Sequence, residues 1–324
     1  MFLASLAVII GLILLVWSAD KFVDGASATA QYFGMPKLLI GMLVIGFGTS
    51  APEIVVSVTS AAQGNPGIAL GNAYGSNIAN IALILGLTAI ISPVLVTPSI
   101  LKKELPLLLG VTIISAILLF DHDVSRLDGI ILLTIFTLVI AISIWHGLKV
   151  KNALSVEENS NSSIMIGKAI GLVFFGLVIL VLSSQLLVWG AVTIANHFGV
   201  SQLIIGLTIV AVGTSLPELA SSIAAARKNQ HDLAMGNIIG SNLFNTLAVV
   251  GLAAVTHPLQ AENEIMTRDI PAMLLFTTIL FVFGYRYKAE TGYIKRWAGT
   301  ILLLGYLAYS GYIFLNLGTA PVVS

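Results

Sequence analysis

Glu53 and Glu218 occupy the same place in a motif that the chain writes twice, GTSAPE and GTSLPE. Each glutamate stands in an otherwise apolar stretch. A carboxylate there is costly, so a pair at equivalent positions points to function rather than packing. Thr49 lies four residues and Ser50 three residues before Glu53, which sets hydroxyls and carboxylate on one helix face. Thr214, Ser215 and Glu218 repeat the spacing. In the following segment Ser76 and Asn80 are four apart, as are Ser241 and Asn245. Every candidate ligand presents oxygen. Hard cations such as calcium take roughly six to eight oxygens, and sodium accepts the same donors. Two glutamates would balance one divalent charge, with hydroxyls, amides and free carbonyls completing the shell.

Those carbonyls have a source. Pro52 removes a backbone donor and disrupts the turn before it, and Gly46 and Gly48 loosen the same stretch. Gly213 and Pro217 repeat the arrangement, and Ala211 stands where the first copy has Gly46. Other features read as structural. GNAYG and GNIIG are small-xxx-small patterns that pack membrane helices closely. Ser57 and Ser222 are expected to bond the preceding turn's carbonyl. Asp20 and Asp24 fall near one end of the first apolar run, beside Lys21, and read as interfacial. The five histidines are scattered and form no ligand pair, and cysteine is absent, so neither zinc nor disulfides are expected.

The elements that must position these residues follow from a wider duplication. Residues 40–86 and 205–251 align without a gap at an offset of 165, with 17 identities. The offset extends backwards, since Gly11 matches Gly176 and Gly25 matches Gly190. The first apolar run therefore has a counterpart deep in the chain and reads as retained structure, although Ala26-Ser27-Ala28 could pass for a leader cleavage site. The composition is 57% hydrophobic and 9% charged, against roughly 25% charged in soluble domains. This is the profile of an integral membrane protein. Net charge is zero, and no basic patch suggests nucleic acid.

Ten apolar spans can be drawn, approximately 2–33, 37–63, 67–91, 104–121, 126–148, 167–198, 202–228, 232–256, 268–286 and 294–316. A polar stretch, 149–166, reads as a solvated linker. It divides the chain into five-helix halves, 1–148 and 167–324. With the N-terminus outside, thirteen of the fifteen lysines and arginines fall on inner connections, leaving Arg126 and Arg268 outside. That is a strong positive-inside signal. Five spans per half is odd, so the second half enters from the opposite side. The expected fold is an all-α polytopic membrane protein of ten helices in two inverted repeats. Sites in such folds lie at the midplane where the repeats meet.

GTSAPE with GNAYGSNIAN, and GTSLPE with GNIIGSNLFN, resemble the two alpha repeats of the calcium/cation antiporter superfamily. The similarity is greatest to bacterial sodium/calcium exchangers related to the potassium-dependent branch, and it covers essentially the whole chain. The resemblance implies a non-enzymatic antiporter that exchanges sodium for calcium by alternating access. It also implies a multi-pass protein of the bacterial inner membrane with both termini periplasmic, needing no cofactor and no protein partner beyond the bilayer. It would make Glu53 and Glu218 the central calcium ligands. Thr49, Ser50, Thr214 and Ser215 would contribute hydroxyls or carbonyls, and Ser76 and Ser241 would bind sodium. The carbonyls of Gly46 and Ala211, with Asn80 and Asn245, would complete the site. One position departs from the pattern: many relatives, including the potassium-dependent exchangers, carry aspartate where this chain has Asn245. Potassium-independent exchange is the expectation. Proton/calcium or other divalent exchange is the nearest alternative, and a channel or an intramembrane hydrolase is remote.

Overall fold

The eighteen residues from Phe2 to Ala19 are apolar apart from Ser5 and Ser18, about enough to cross roughly 30 Å of hydrocarbon at about 1.5 Å per residue, and they wind into one uninterrupted helix. The computed structural model describes residues 1–154, 165–199, 211–285 and 292–317. Its helices are α1 (Phe2–Phe33), α2 (limbs Lys37–Thr49 and Ala51–Ala62), α3 (Pro66–Ile91), α4 (100–118) and α5 (Arg126–Leu154). The second half supplies α6 (Ile166–His197), α7 (limbs Ala211–Thr214 and Leu216–Arg227), α8 (His231–Thr256), α9 (Ile265–Gly284) and α10 (Arg296–Leu317). These are the ten helices in two inverted repeats. Most of the linker, with Glu157 and Glu158, lies outside the described residues, as do 202–210 of the seventh span and Arg286 and Lys288.

Two spans begin earlier than the apolar runs suggest. The fourth starts at Ile100 rather than 104, the ninth at Ile265 rather than 268. Both starts are π-helical turns, Ile100–Glu104 and Ile265–Asp269, again 165 apart. They wind charged residues into the helix, where a hydropathy reading sees a boundary. Arg268 is tolerated because its guanidinium donates to both carboxylate oxygens of Asp269, at 2.6 and 3.0 Å.

Two short antiparallel ribbons tie the connections together. β1 (Val94–Val96) pairs with β4 (Gly292–Ile294), and β2 (Asp123–Val124) with β3 (Leu259–Gln260). The first ribbon joins the α3–α4 and α9–α10 connections, the second the α4–α5 and α8–α9 connections. Each ribbon links loops that the charge count put on one side. The ribbons therefore group the connections in the same way as the lysines do.

α3 and α8 form the centre. Their apolar windows are 78% and 89% buried, against 11% for α5 and 17% for α10. Small residues permit this. A Cβ on Gly240 of α8 would come within 2.7 Å of the Met42 Cα and carbonyl oxygen of α2. The two backbones touch, and the broken limb of α2 is held against α8.

α1 and α6 pack on each other through contacts that obey the duplication. Gly25 meets Ala169 and Val173, and its counterpart Gly190 meets Ala4 and Val8. The symmetry stops at the ends. Asp20 and Asp24, read as interfacial, are both partly exposed. Lys228, at the end of α7, reaches both carboxylates at 3.4 and 2.8 Å and donates to the Asp20 carbonyl at 2.9 Å. The groups are partly solvated, so the pairs stabilise by about 0–1 kcal/mol. Lys228→Gln is expected to shift the thermal midpoint by only a few degrees in a detergent melt.

Candidate cation-binding site

Pro52 has no N–H to give the Gly48 carbonyl, and α2 accordingly bends by 47° at Ser50. Ser50 leaves helical geometry, with φ −84° and ψ 4°, and Ser215 does the same at −91° and 5°. Each break puts a glutamate in the first turn of the second limb. Glu53 is 1% exposed and Glu218 2%. The Glu53 carboxylate lies within electrostatic reach of Glu218, and the Ser50 hydroxyl donates across the repeats to Glu218 Oε1 at 3.4 Å. The two copies of the motif, 165 residues apart, thus meet at one place.

Thr49, Ser50, Ser76, Asn80, Ser215, Ser241 and Asn245 are all buried. The Thr49 hydroxyl sits 3.0 Å from the Ile45 carbonyl, 3.4 Å from the Gly46 carbonyl and 3.2 Å from Asn237 Oδ1. The Gly46 carbonyl also lies 3.5 Å from the Ser241 hydroxyl of α8. Gly46 and Ser241, both predicted to serve the site, are therefore neighbours. Ala211 opens the first described limb of α7, and Thr214 closes it. Asn80 donates to Asn242 Oδ1 at 2.9 Å. Asn80 and Asn245 each sit second in a π-helical turn, Ala79–Ile84 and Phe244–Val249. Such turns recur at functional sites because they re-aim side chains out of the regular ladder.

Several buried oxygens have no hydrogen-bond partner: Glu53 Oε2, Glu218 Oε2 and Asn245 Oδ1. Buried polar atoms are rarely left so, and a buried charge costs several kcal/mol unless it is paired. Acceptors alone cannot satisfy one another. What the cluster lacks is positive charge. Among the described residues no third carboxylate and no imidazole joins it. The donor set is hard oxygen throughout, with a formal charge of −2.

Two pairs escaped the sequence reading. Asn72 donates to the Glu53 carbonyl at 3.1 Å and to Ser57 Oγ at 2.8 Å. Asn237 does the same to the Glu218 carbonyl and Ser222 Oγ, at 3.1 and 2.8 Å. These amides staple each broken helix to the next helix at the glutamate itself. Their signal was present, because both are the invariant Asn of GNxxG. Ser57 and Ser222 belong to the staples. Ser57 donates to Ala69 of α3 at 3.0 Å, not to the preceding turn. Asn77 was missed likewise; it donates to Thr246 Oγ1 at 2.7 Å.

The halves differ in one respect that bears on access. Phe22 and Val23 of α1 are fully buried, while their counterparts Leu187 and Val188 on α6 are half-exposed. A cavity of about 300 Å³ opens beside α6, lined by Pro52, Ser184, Gln185, Thr214 and Pro217. Ser184 donates to the Gly213 carbonyl that Pro217 frees, at 2.9 Å. Its counterpart on α1 is Ala19, which has no donor.

An acidic oxygen cluster between inverted, broken-helix repeats defines a secondary transporter of cations. Residues 3–145 and 168–315 match the family described as sodium/calcium exchanger protein. The chain belongs to the sodium/calcium exchanger family, a group of multi-pass membrane antiporters. It is 38% identical to inner membrane protein YrbG of Escherichia coli (strain K12), over 97% of this chain and 98% of that one. It is 30% identical to sodium/calcium exchanger MaX1 of Methanosarcina acetivorans, over 95% and 98%. Among solved structures it superposes on the sodium-calcium exchanger NCX_Mj, soaked with sodium and strontium, at a TM-score of 0.82 and 34% identity, covering 95% and 97% of the two chains.

Proposed function

We propose that this protein exchanges sodium for calcium across a bacterial inner membrane, both ions competing for the oxygens around Glu53 and Glu218. The meeting of the two carboxylates, each with one oxygen lacking a hydrogen-bond partner, at the paired helix breaks carries this reading. Two negative charges balance calcium; several sodium ions take the same place when calcium leaves. Glu53 and Glu218 act as the central ligands. Thr49, Ser50, Thr214 and Ser215 supply hydroxyls or carbonyls, and the carbonyls of Gly46 and Ala211, the hydroxyls of Ser76 and Ser241, and the amides of Asn80 and Asn245 complete the set. Asn72 and Asn237 position the glutamates rather than bind ions. The family relation to MaX1 and NCX_Mj, whose names carry sodium and calcium, supports the choice of ions.

Access alternates as α1 and α6 slide together across the other helices. Their reciprocal glycine contacts make them one body, and they face lipid, with only 33% and 22% of their apolar windows buried. The state in hand is closed on the lysine-rich side by Phe22, Val23 and the Lys228 pairs. It is open on the other through the cavity beside α6. Lysine placement supports a cytoplasmic closed side and periplasmic termini.

Calcium-45 uptake into proteoliposomes, with sodium, potassium and proton gradients imposed in turn, tests the coupling. Uptake is expected with an outward sodium gradient at equal pH. Uptake driven only by a proton gradient would establish the proton/calcium alternative instead. With amides at both Asn80 and Asn245, potassium is expected to be unnecessary: replacing it by choline should leave the sodium-driven rate within about twofold, well under 1.4 kcal/mol. A strict potassium requirement would contradict the role given to Asn245.

A further inference from the structure

Ser184 stands near the middle of α6 and is only 4% exposed. Its hydroxyl donates to the Gly213 carbonyl of α7 at 2.9 Å. That carbonyl needs a donor from outside its own helix, because the residue four positions on is Pro217, which has no N–H. The bond therefore joins the sliding pair, α1 and α6, to the break in α7. It lies on the wall of the cavity of about 300 Å³, which Ser184, Gly213 and Pro217 line together.

The duplication says what the opposite state offers instead. Inverted repeats exchange roles between the two access states, so α1 would then stand to α2 as α6 stands here to α7. Gly48 takes the part of Gly213, and Pro52 frees its carbonyl in the same way. The residue equivalent to Ser184 is Ala19, whose methyl donates nothing. The neighbouring hydroxyl is committed elsewhere, since Ser18 bonds the Leu14 and Leu15 carbonyls of its own helix at 2.6 and 3.1 Å. One state has the bond and the other lacks it. We propose that Ser184 is a positioning residue of the exchange cycle. By holding the Gly213 carbonyl it retains α6 in the pose that leaves the cavity open, and it biases the ion-free protein towards the outward-open state. The inference rests on the sliding of α1 and α6 proposed above, and is independent of which ions are exchanged.

The chain has no cysteine, so a single introduced thiol can report each state. Val56 lines the open cavity. Its counterpart, 165 residues on, is Ser221, which is fully buried and whose hydroxyl has no hydrogen-bond partner. Val56→Cys and Ser221→Cys thus mark equivalent places, one open and one shut. Each full-length variant is labelled with a membrane-impermeant maleimide in oriented vesicles, in choline and chelator. Val56→Cys is labelled from the outer face and Ser221→Cys from the inner face. A neutral hydrogen bond changes an equilibrium by roughly twofold to tenfold. Adding Ser184→Ala is expected to lower the ratio of outer to inner labelling rate by that factor, chiefly by raising the inner rate. Ser184→Thr, which keeps the hydroxyl, is expected to retain the parent ratio. An unchanged ratio in Ser184→Ala overturns the proposal, and so does a rise at both thiols, the mark of a loosened fold. If Ser221→Cys is never labelled from the inner face, with sodium, with calcium or with neither, the sliding fails and the proposal with it. A labelled parent with an unchanged ratio removes the role of Ser184 alone.

Discussion

Replacing Glu53 with glutamine is expected to abolish sodium-driven calcium uptake while leaving the protein folded. Glutamine keeps the volume and one oxygen but removes half of the site's formal charge. A unit charge pair about 4 Å apart is worth about 4 kcal/mol at an effective dielectric of 20, and calcium carries two charges. The loss therefore corresponds to at least roughly a thousandfold in affinity. Stability should move the other way. Glu53 and Glu218 are buried within reach of each other, and without a cation their repulsion costs the fold. The Glu53→Gln protein is expected to melt no lower than the parent in chelator, and to lose the rise in melting temperature that calcium gives by binding the native state. Calcium uptake near the parent rate, or a preserved calcium-dependent rise, would remove Glu53 from the site. Glu218→Gln is expected to behave alike, since Ser50 bonds Glu218 and not a distant group.

Gly240→Ala is expected to damage transport strongly through a single added methyl group. The new Cβ would meet the Met42 Cα and carbonyl oxygen at 2.7 Å, both backbone atoms that no rotamer can move aside. Overpacking of a tight interface costs typically 1–3 kcal/mol. The displacement would fall on Ser241 and the Gly46 carbonyl, which sit next to each other at the site. Transport should therefore drop further than the melting temperature does. Gly110→Ala on α4, where a Cβ meets nothing among the described residues within 4 Å, should leave both unchanged. If Gly240→Ala transports normally, the α2–α8 contact is looser than its geometry states.

Much of this was legible before any coordinates. The alignment of Gly25 with Gly190 marked the first and sixth helices as a repeat pair, and both glycines sit where those helices touch. GTSAPE and GTSLPE announced broken helices through Pro52 and Pro217, since the lost N–H is a covalent fact of proline. Side-chain partners were less legible. Ser57 bonds α3 and Lys228 bonds α1, and neither partner is near in sequence. Asn72 and Asn237 carry a clear repeat signal, yet only the fold distinguishes an amide that staples a backbone from one that offers oxygen to an ion.

The sequence by itself determined the inversion, the two costly carboxylates and the oxygen character of their neighbours. Hydropathy, charge and duplication are properties of the chain that no folding can alter. Tertiary structure decided which half is open. Two nearly equivalent repeats can exchange roles, and their sequences favour neither. Only packing shows Phe22 and Val23 sealed while Val188, the counterpart of Val23, borders a cavity. That choice rests on a few side chains such as Ser184 against Ala19, and on Lys228 reaching across to α1. Contacts of this kind arise from proximity in space, which the order of residues does not record.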